Sequence, residues 1–328
     1  MPAGATIFGG VAGTGLTPAE RAFFREADPW GFILFGRNID TPDQVRALCA
    51  GLREAVGREA LITIDQEGGR VQRLRPPHWT AWPAPLSSAA DGARAVWLRH
   101  RLMGAELRML GIDGDCAPCL DIAGPDTHPF LHDRCFGSDP AMVARLGRAA
   151  AEGLLAAGVL PCIKHMPGHG RARADSHTEL PEVAAPLAEL TDWDFAPFRA
   201  LADLPMGMTC HIRFSALDPR PATASARMIG LIRQQIGFQG LLTTDDISME
   251  ALPGSHAERA RAAIAAGCDL VMHCNQDVAC MATVAEAAGI LTPQAAARAD
   301  AALAARQAPQ GDLAALAAEL AEIEAARI

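Results

Sequence analysis

Eight short, mainly apolar runs, most of them followed directly by a polar residue or a glycine, constrain this chain more than anything else in its sequence. They are Ala5–Phe8, Gly31–Phe35, Ala60–Ile64, Gly114–Ala117, Val159–Ile163, Met206–Cys210, Gly240–Thr244 and Cys268–Met272. The runs are unbroken rather than alternating, which is the pattern of parallel strands covered on both faces. Helix starts fall between them. Thr17-Pro18-Ala19-Glu20 and Ser255-His256-Ala257-Glu258 read as capping boxes, and Thr41-Pro42-Asp43-Gln44 reads as the same device. Ser138-Asp139-Pro140 opens the helix before the fifth run, and further helices are expected over about 93–110, over 192–201 and from Ser225. Eight βα units predict an α/β fold, a (β/α)8 barrel of the TIM type, with a doubly wound sheet as the alternative. No linker or shift of composition divides the chain. One domain is therefore expected over 1–328, with a helical C-terminal extension over about 290–328.

Composition narrows the function. The formal net charge of -9 and a pI near 5.6 argue against nucleic-acid and anionic-membrane surfaces, which need a basic footprint. No apolar stretch is long enough for a bilayer span, and the start of the chain lacks the basic and apolar regions of a signal peptide. The nine cysteines are odd in number and lie mostly inside apolar runs, such as Cys162, Cys210 and Cys268. They read as reduced core cysteines of a soluble cytoplasmic protein. Cys116-Ala117-Pro118-Cys119 has CxxC spacing, but no second pair completes a redox or zinc motif, so a structural role is expected.

The polar residues at the strand ends carry the functional signal. Asp65, Lys164-His165, His211, Asp245-Asp246 and His273 each follow a separate apolar run. In a barrel such positions converge on the C-terminal mouth, where these folds do chemistry. Asp246, second of an adjacent pair, should point away and serve structure. The densest segment is Lys164-His165-Met166-Pro167-Gly168-His169-Gly170, followed by Asp175-Ser176-His177. Pro167 and the glycines preclude a helix there, so His165 and His169 cannot share a helix face as metal ligands. A metal hydrolase built on His211 and His273 stays open, and Gly168-x-Gly170 is a weak match to a phosphate cradle. A third arrangement pairs Asp245 with His177. A rigid strand-end carboxylate can act as nucleophile, while a loop histidine trades protons near neutral pH and Asp175 fixes its tautomer. That set suits glycoside cleavage through a covalent intermediate.

Three segments carry a family resemblance. Asp65-Gln-Glu-Gly-Gly-Arg70-Val-Gln-Arg73, Lys164 to Gly170 with Asp175-Ser-His177, and Thr244-Asp245-Asp246-Ile-Ser-Met249 together resemble the family 3 glycoside hydrolases. Among these the chain is similar to the bacterial single-domain β-N-acetylhexosaminidases of peptidoglycan recycling. The similarity runs from about Gly9 to Gly267 with the motifs in the family's order. The resemblance implies Asp245 as nucleophile, His177 as general acid/base and Asp175 as its partner. It implies sugar contacts from Asp65, Arg73, Arg134 (in Arg134-Cys-Phe-Gly137), Lys164 and His165. It further implies an exo-acting, retaining β-N-acetylglucosaminidase working on N-acetylglucosamine linked to 1,6-anhydro-N-acetylmuramic acid, with or without peptide. No metal or organic cofactor is expected, and a monomer is expected. Met166 stands where Phe is usual, Cys135 where Ser is common, and Cys210 where Ala often precedes the His. Competing functions are a β-glucosidase or dual-specificity glycosidase, a phosphorylase of the same family, and a silent sugar-binding regulator.

Overall fold

The computed structural model describes residues 3–176, 178–275 and 277–326. His177 therefore lies outside the described residues. Eight parallel strands form one sheet: β1 (Gly4–Phe8), β2 (Pro29–Leu34), β3 (Leu61–Ile64), β4 (Gly114–Asp115), β5 (Leu160–Met166), β6 (Met206–Thr209), β7 (Leu241–Asp246) and β8 (Leu270–His273). Their spatial order is β3-β2-β1-β8-β7-β6-β5-β4, so every neighbour is a sequence neighbour except β1 with β8. That order is a barrel, as the run of apolar segments predicts, and it excludes the doubly wound alternative.

The seam lies between β3 and β4. Asp113 N donates to Ile62 O at 2.9 Å and Cys116 N to Ile64 O at 2.8 Å. The intervening ladder positions are filled by side chains, with Ile62 N donating to Asp113 Oδ1 at 2.9 Å and Gln66 N to Asp115 Oδ1 at 3.0 Å. Two buried aspartates thus replace missing carbonyl acceptors, which satisfies amides that would otherwise be stranded.

The helices begin where their caps dictate. Thr17 and Ser255 form complete capping boxes, and Asp139 caps Pro140–Ala156 by accepting from Met142 N. Thr41 caps Pro42–Val56 through Gln44 N, but the return bond from Gln44 goes to Asp40 N at 2.9 Å rather than to Thr41. The helix expected over 192–201 is two, Leu187–Asp192 and Ala196–Ala200. Pro197 has no N–H to continue an earlier helix and fits only a first turn. After the barrel come Pro293–Ala304 and Leu313–Ala325. Leu320 and Leu316 of the last helix pack against Ala95 and Leu98, and Arg94 forms two bonds to Glu319.

Both cysteines of the CxxC are buried free thiols. Cys116 Sγ lies 3.6 Å from Thr63 Oγ1, and Cys119 donates to Asp121 at 3.2 Å. Among the described residues no helix is long and apolar enough to cross a membrane.

Candidate active site

The fifth run was expected to end at Ile163, but β5 continues to Met166 and carries Lys164 and His165 inside the strand. Such residues stay in a buried strand only if their charge is met there. It is met twice for Lys164: its Nζ donates to Asp65 Oδ1 at 2.9 Å and to Glu67 Oε1 at 2.7 Å. Asp65 in turn accepts from Arg73 Nη2 at 2.9 Å. Glu67 also receives Arg134 in a two-bond fork, Nε to Oε2 at 2.9 Å and Nη2 to Oε1 at 2.7 Å. Burial alone would raise both carboxyls. The Lys164 and Arg73 charges beside Asp65, and the Arg134 and Lys164 charges beside Glu67, hold them well below the usual carboxylate range. The same pairing overrides burial at Lys164 and keeps it ionised.

His165 is oriented by Asp121, whose Oδ2 accepts its Nδ1–H at 2.7 Å. This leaves Nε2 facing Arg134 Nη2 at 3.4 Å. The other Asp121 oxygen accepts the His169 backbone N–H at 2.6 Å, so one carboxylate ties the strand to the loop that follows it.

Asp245 stands near the end of β7, and its Oδ1 accepts the Asp246 N–H at 2.8 Å. Burial pushes its carboxyl up, but His165, His211, the Asp246 N–H and Lys164 outweigh that and hold it below its ordinary value. Ionisation is the state a nucleophilic carboxylate needs. Asp246 serves structure, accepting Ser248 N at 2.9 Å, the Ser248 hydroxyl at 2.6 Å and Cys274 N at 3.0 Å.

Asp65, Arg73, Arg134, Lys164, His165 and Asp245 line one cavity of about 300 Å³, walled by Phe35, Phe130, Met208 and Met249. That is the scale of a small-ligand site, with a few convergent polar groups on an apolar wall. Six of the eight residues singled out in the sequence are thus brought together. Asp175 is not among the lining residues. Its backbone carbonyl accepts from Thr178 N at 3.0 Å and Glu179 N at 3.1 Å in a turn beyond the cavity. Glu67 and Asp121 were missed, and each holds a predicted residue in place. The signal available for Glu67 was that a buried lysine and arginine require more than one carboxylate.

One alternative left open by the sequence is excluded. The metal arrangement through His211 and His273 does not form. His211 Nε2 donates to the Asp246 carbonyl at 3.0 Å and its Nδ1 pairs with the Thr223 hydroxyl at 2.8 Å, so both ring nitrogens are engaged. The loop after β5 is anchored: Gly168 to Gly170 and Ala172 are buried. Thr127 donates to Gly170 O at 2.6 Å, and Arg171 pairs with Asp194 and Glu189, both at 2.6 Å. Gly170 is required there, because a Cβ would come within 2.0 Å of the Ile122 carbonyl oxygen. A larger cavity, about 1030 Å³, opens beside this loop between Gly170, Arg173, Thr127 and Trp193.

A parallel barrel whose mouth sets an ionised strand-end carboxylate beside paired cations and a small hollow has the features a glycoside hydrolase needs. The model of the glycosyl hydrolase family 3 N terminal domain matches residues 21–304, and the chain belongs to that family. A beta-hexosaminidase of Alkalilimnicola ehrlichii is 41% identical over 278 residues, covering 81% of this chain and 79% of the relative. One from Pseudomonas aeruginosa is 40% identical over 272 residues, covering 81% of each. The structure of NagZ from Neisseria gonorrhoeae in complex with N-trifluoroacetyl-D-glucosamine aligns with a TM-score of 0.88 at 29% identity, covering 98% of both chains.

Proposed function

We propose that this protein is a retaining exo-β-N-acetylglucosaminidase that removes terminal N-acetylglucosamine from muropeptide fragments. The β-N-acetylhexosaminidase activity follows from family membership and from the curated beta-hexosaminidases it resembles over four-fifths of its length. The single observation that carries the mechanism is Asp245, ionised at the end of β7 and lining the same cavity as the Lys164, Arg73 and Arg134 cations.

In this mechanism the Asp245 carboxylate attacks the anomeric carbon and forms a glycosyl ester. His177, aided by Asp175, gives a proton to the departing oxygen. His177 then takes a proton from water as the ester is hydrolysed, so the β-anomer is released. Asp65, Arg73, Arg134, Lys164 and His165 hold the sugar hydroxyls and the acetamido group. Buried ion pairs keep those side chains in fixed positions, which suits sugar recognition by directed hydrogen bonds. The small cavity holds one sugar, which fits cleavage from a chain end. The larger cavity beside the 168–174 loop then takes the leaving group, 1,6-anhydro-N-acetylmuramic acid with or without peptide. Nine free cysteines suit a reducing compartment, so cytoplasmic fragments are the proposed substrates.

The test is a substrate panel: chromogenic β-N-acetylglucosaminide and β-glucoside, each with and without phosphate, and the disaccharide with and without its peptide. The proposal expects preference for the N-acetylglucosaminide, no stimulation by phosphate, and release of N-acetylglucosamine from the disaccharide. A preferred β-glucoside, or a sugar phosphate as product, would replace it with the glucosidase or phosphorylase.

A further inference from the structure

Outside the catalytic cavity, three elements bring together ligand atoms that the glycosidase mechanism does not use. His273 closes β8, His256 begins the helix His256–Ala266, and Cys280 lies in the first turn of the helix Val278–Ala288. His273 Nε2 is 3.0 Å from His256 Nδ1, His256 Nδ1 is 3.0 Å from Cys280 Sγ, and Cys280 Sγ is 3.7 Å from His273 Nε2. A tetrahedral zinc with Zn–N near 2.0 Å and Zn–S near 2.3 Å has N···N edges of about 3.3 Å and N···S edges of about 3.5 Å. The three atoms therefore already approach one face of such a tetrahedron, to within about half an ångström on each edge.

We propose that His256, His273 and Cys280 bind a borderline-soft divalent cation of the zinc class, with water in the fourth position. Two imidazoles and a thiolate select zinc-like ions over magnesium or calcium, which take oxygen ligands. Binding releases the Cys280 thiol proton to solvent and leaves each imidazole protonated only on its outward nitrogen. For His273 that nitrogen is Nδ1, which is buried and has no hydrogen-bond partner among the described residues. A ligand histidine lacking such a partner loses about 10–100-fold in affinity. His256 and Cys280 are half-buried, so the site has an entry path. It is an exchangeable site, not one the fold requires. The other group of metal-ligating atoms, Cys119, Asp121 and His165, belongs to the catalytic mouth, where Asp121 already orients His165.

The experiment is titration of chelator-treated protein with Co2+, read by absorption, alongside melting curves with and without Zn2+. The wild-type protein should develop the visible bands of tetrahedral cobalt together with a near-ultraviolet thiolate-to-cobalt band, and Zn2+ should raise its melting temperature. Cys280→Ser should abolish the thiolate band and the zinc-induced shift. His256→Ala should weaken cobalt binding at least tenfold, and it reports independently if the serine variant folds poorly. Hydrolysis by metal-free protein should be unchanged in both variants, which separates this site from the catalytic one. Absence of a thiolate band in the wild type at millimolar cobalt would overturn the proposal, as would the same band or zinc shift in Cys280→Ser.

Discussion

Glu67 Oε1 lies 2.7 Å from Lys164 Nζ, and the two side chains are only 1% and 2% exposed. Glu67 also holds Arg134, so one carboxylate outside the cavity wall neutralises two cations that line it. Removing one partner of a buried ion pair is strongly destabilising because the other is left uncompensated. Glu67→Gln should therefore lose about 3–5 kcal/mol in urea denaturation, and it should raise KM as Lys164 and Arg134 shift. A variant as stable as the parent would show that Asp65 alone suffices for Lys164.

His177 is proposed to act only where a proton is needed. His177→Ala should cost about 10²–10⁴-fold on substrates with poor leaving groups and far less on activated aryl glycosides. Equal losses on both substrate types would remove it as the general acid.

Acid sensitivity should begin above the carboxylate range. Burial lowers His100 and His169 to about 4, so both remain neutral in the folded state while their unfolded counterparts protonate below about 6.5. Depressed folded values give stability that is full above about 6.5 and lost as pH falls toward 4. Each group can contribute a slope of at most about 1.4 kcal/mol per pH unit. His100→Gln should flatten the fall in unfolding free energy between pH 6.5 and 4. An unchanged slope would place the titration elsewhere.

Turnover should survive exhaustive chelation, because carboxylate, imidazole, guanidinium and ammonium groups fill every proposed catalytic role. Inactivation by chelator with recovery on adding zinc would return a metal to the mechanism.

The barrel was legible because its strands are unbroken apolar runs and its helices carry strong caps at Thr17, Asp139 and Ser255. Asp65 and Asp245 were legible for the same reason, since a charged residue directly after such a run falls at the mouth. Glu67 and Asp121 were not. Their roles depend on Arg134 and His165, 67 and 44 positions away, and no local pattern encodes that pairing. The true end of β5 was hidden likewise, because Lys164 looks like an exit until its two carboxylates are known. The His211 and His273 pairing that the sequence left open does not form, for a geometric reason. Two strand-end histidines suggested a pair, whereas His211 is fully engaged and His273 faces helix residues.

The central claim is that Asp245 becomes covalently glycosylated, and intact-protein and peptide mass spectrometry test it most directly. A fluorinated N-acetylglucosaminide with a good leaving group slows both steps but leaves the first observable. The account predicts a single added glycosyl mass that maps to Asp245, is absent in Asp245→Asn, and is lost again on prolonged incubation in buffer. A label on another residue, or no label together with an α-anomeric first product by NMR, would contradict it.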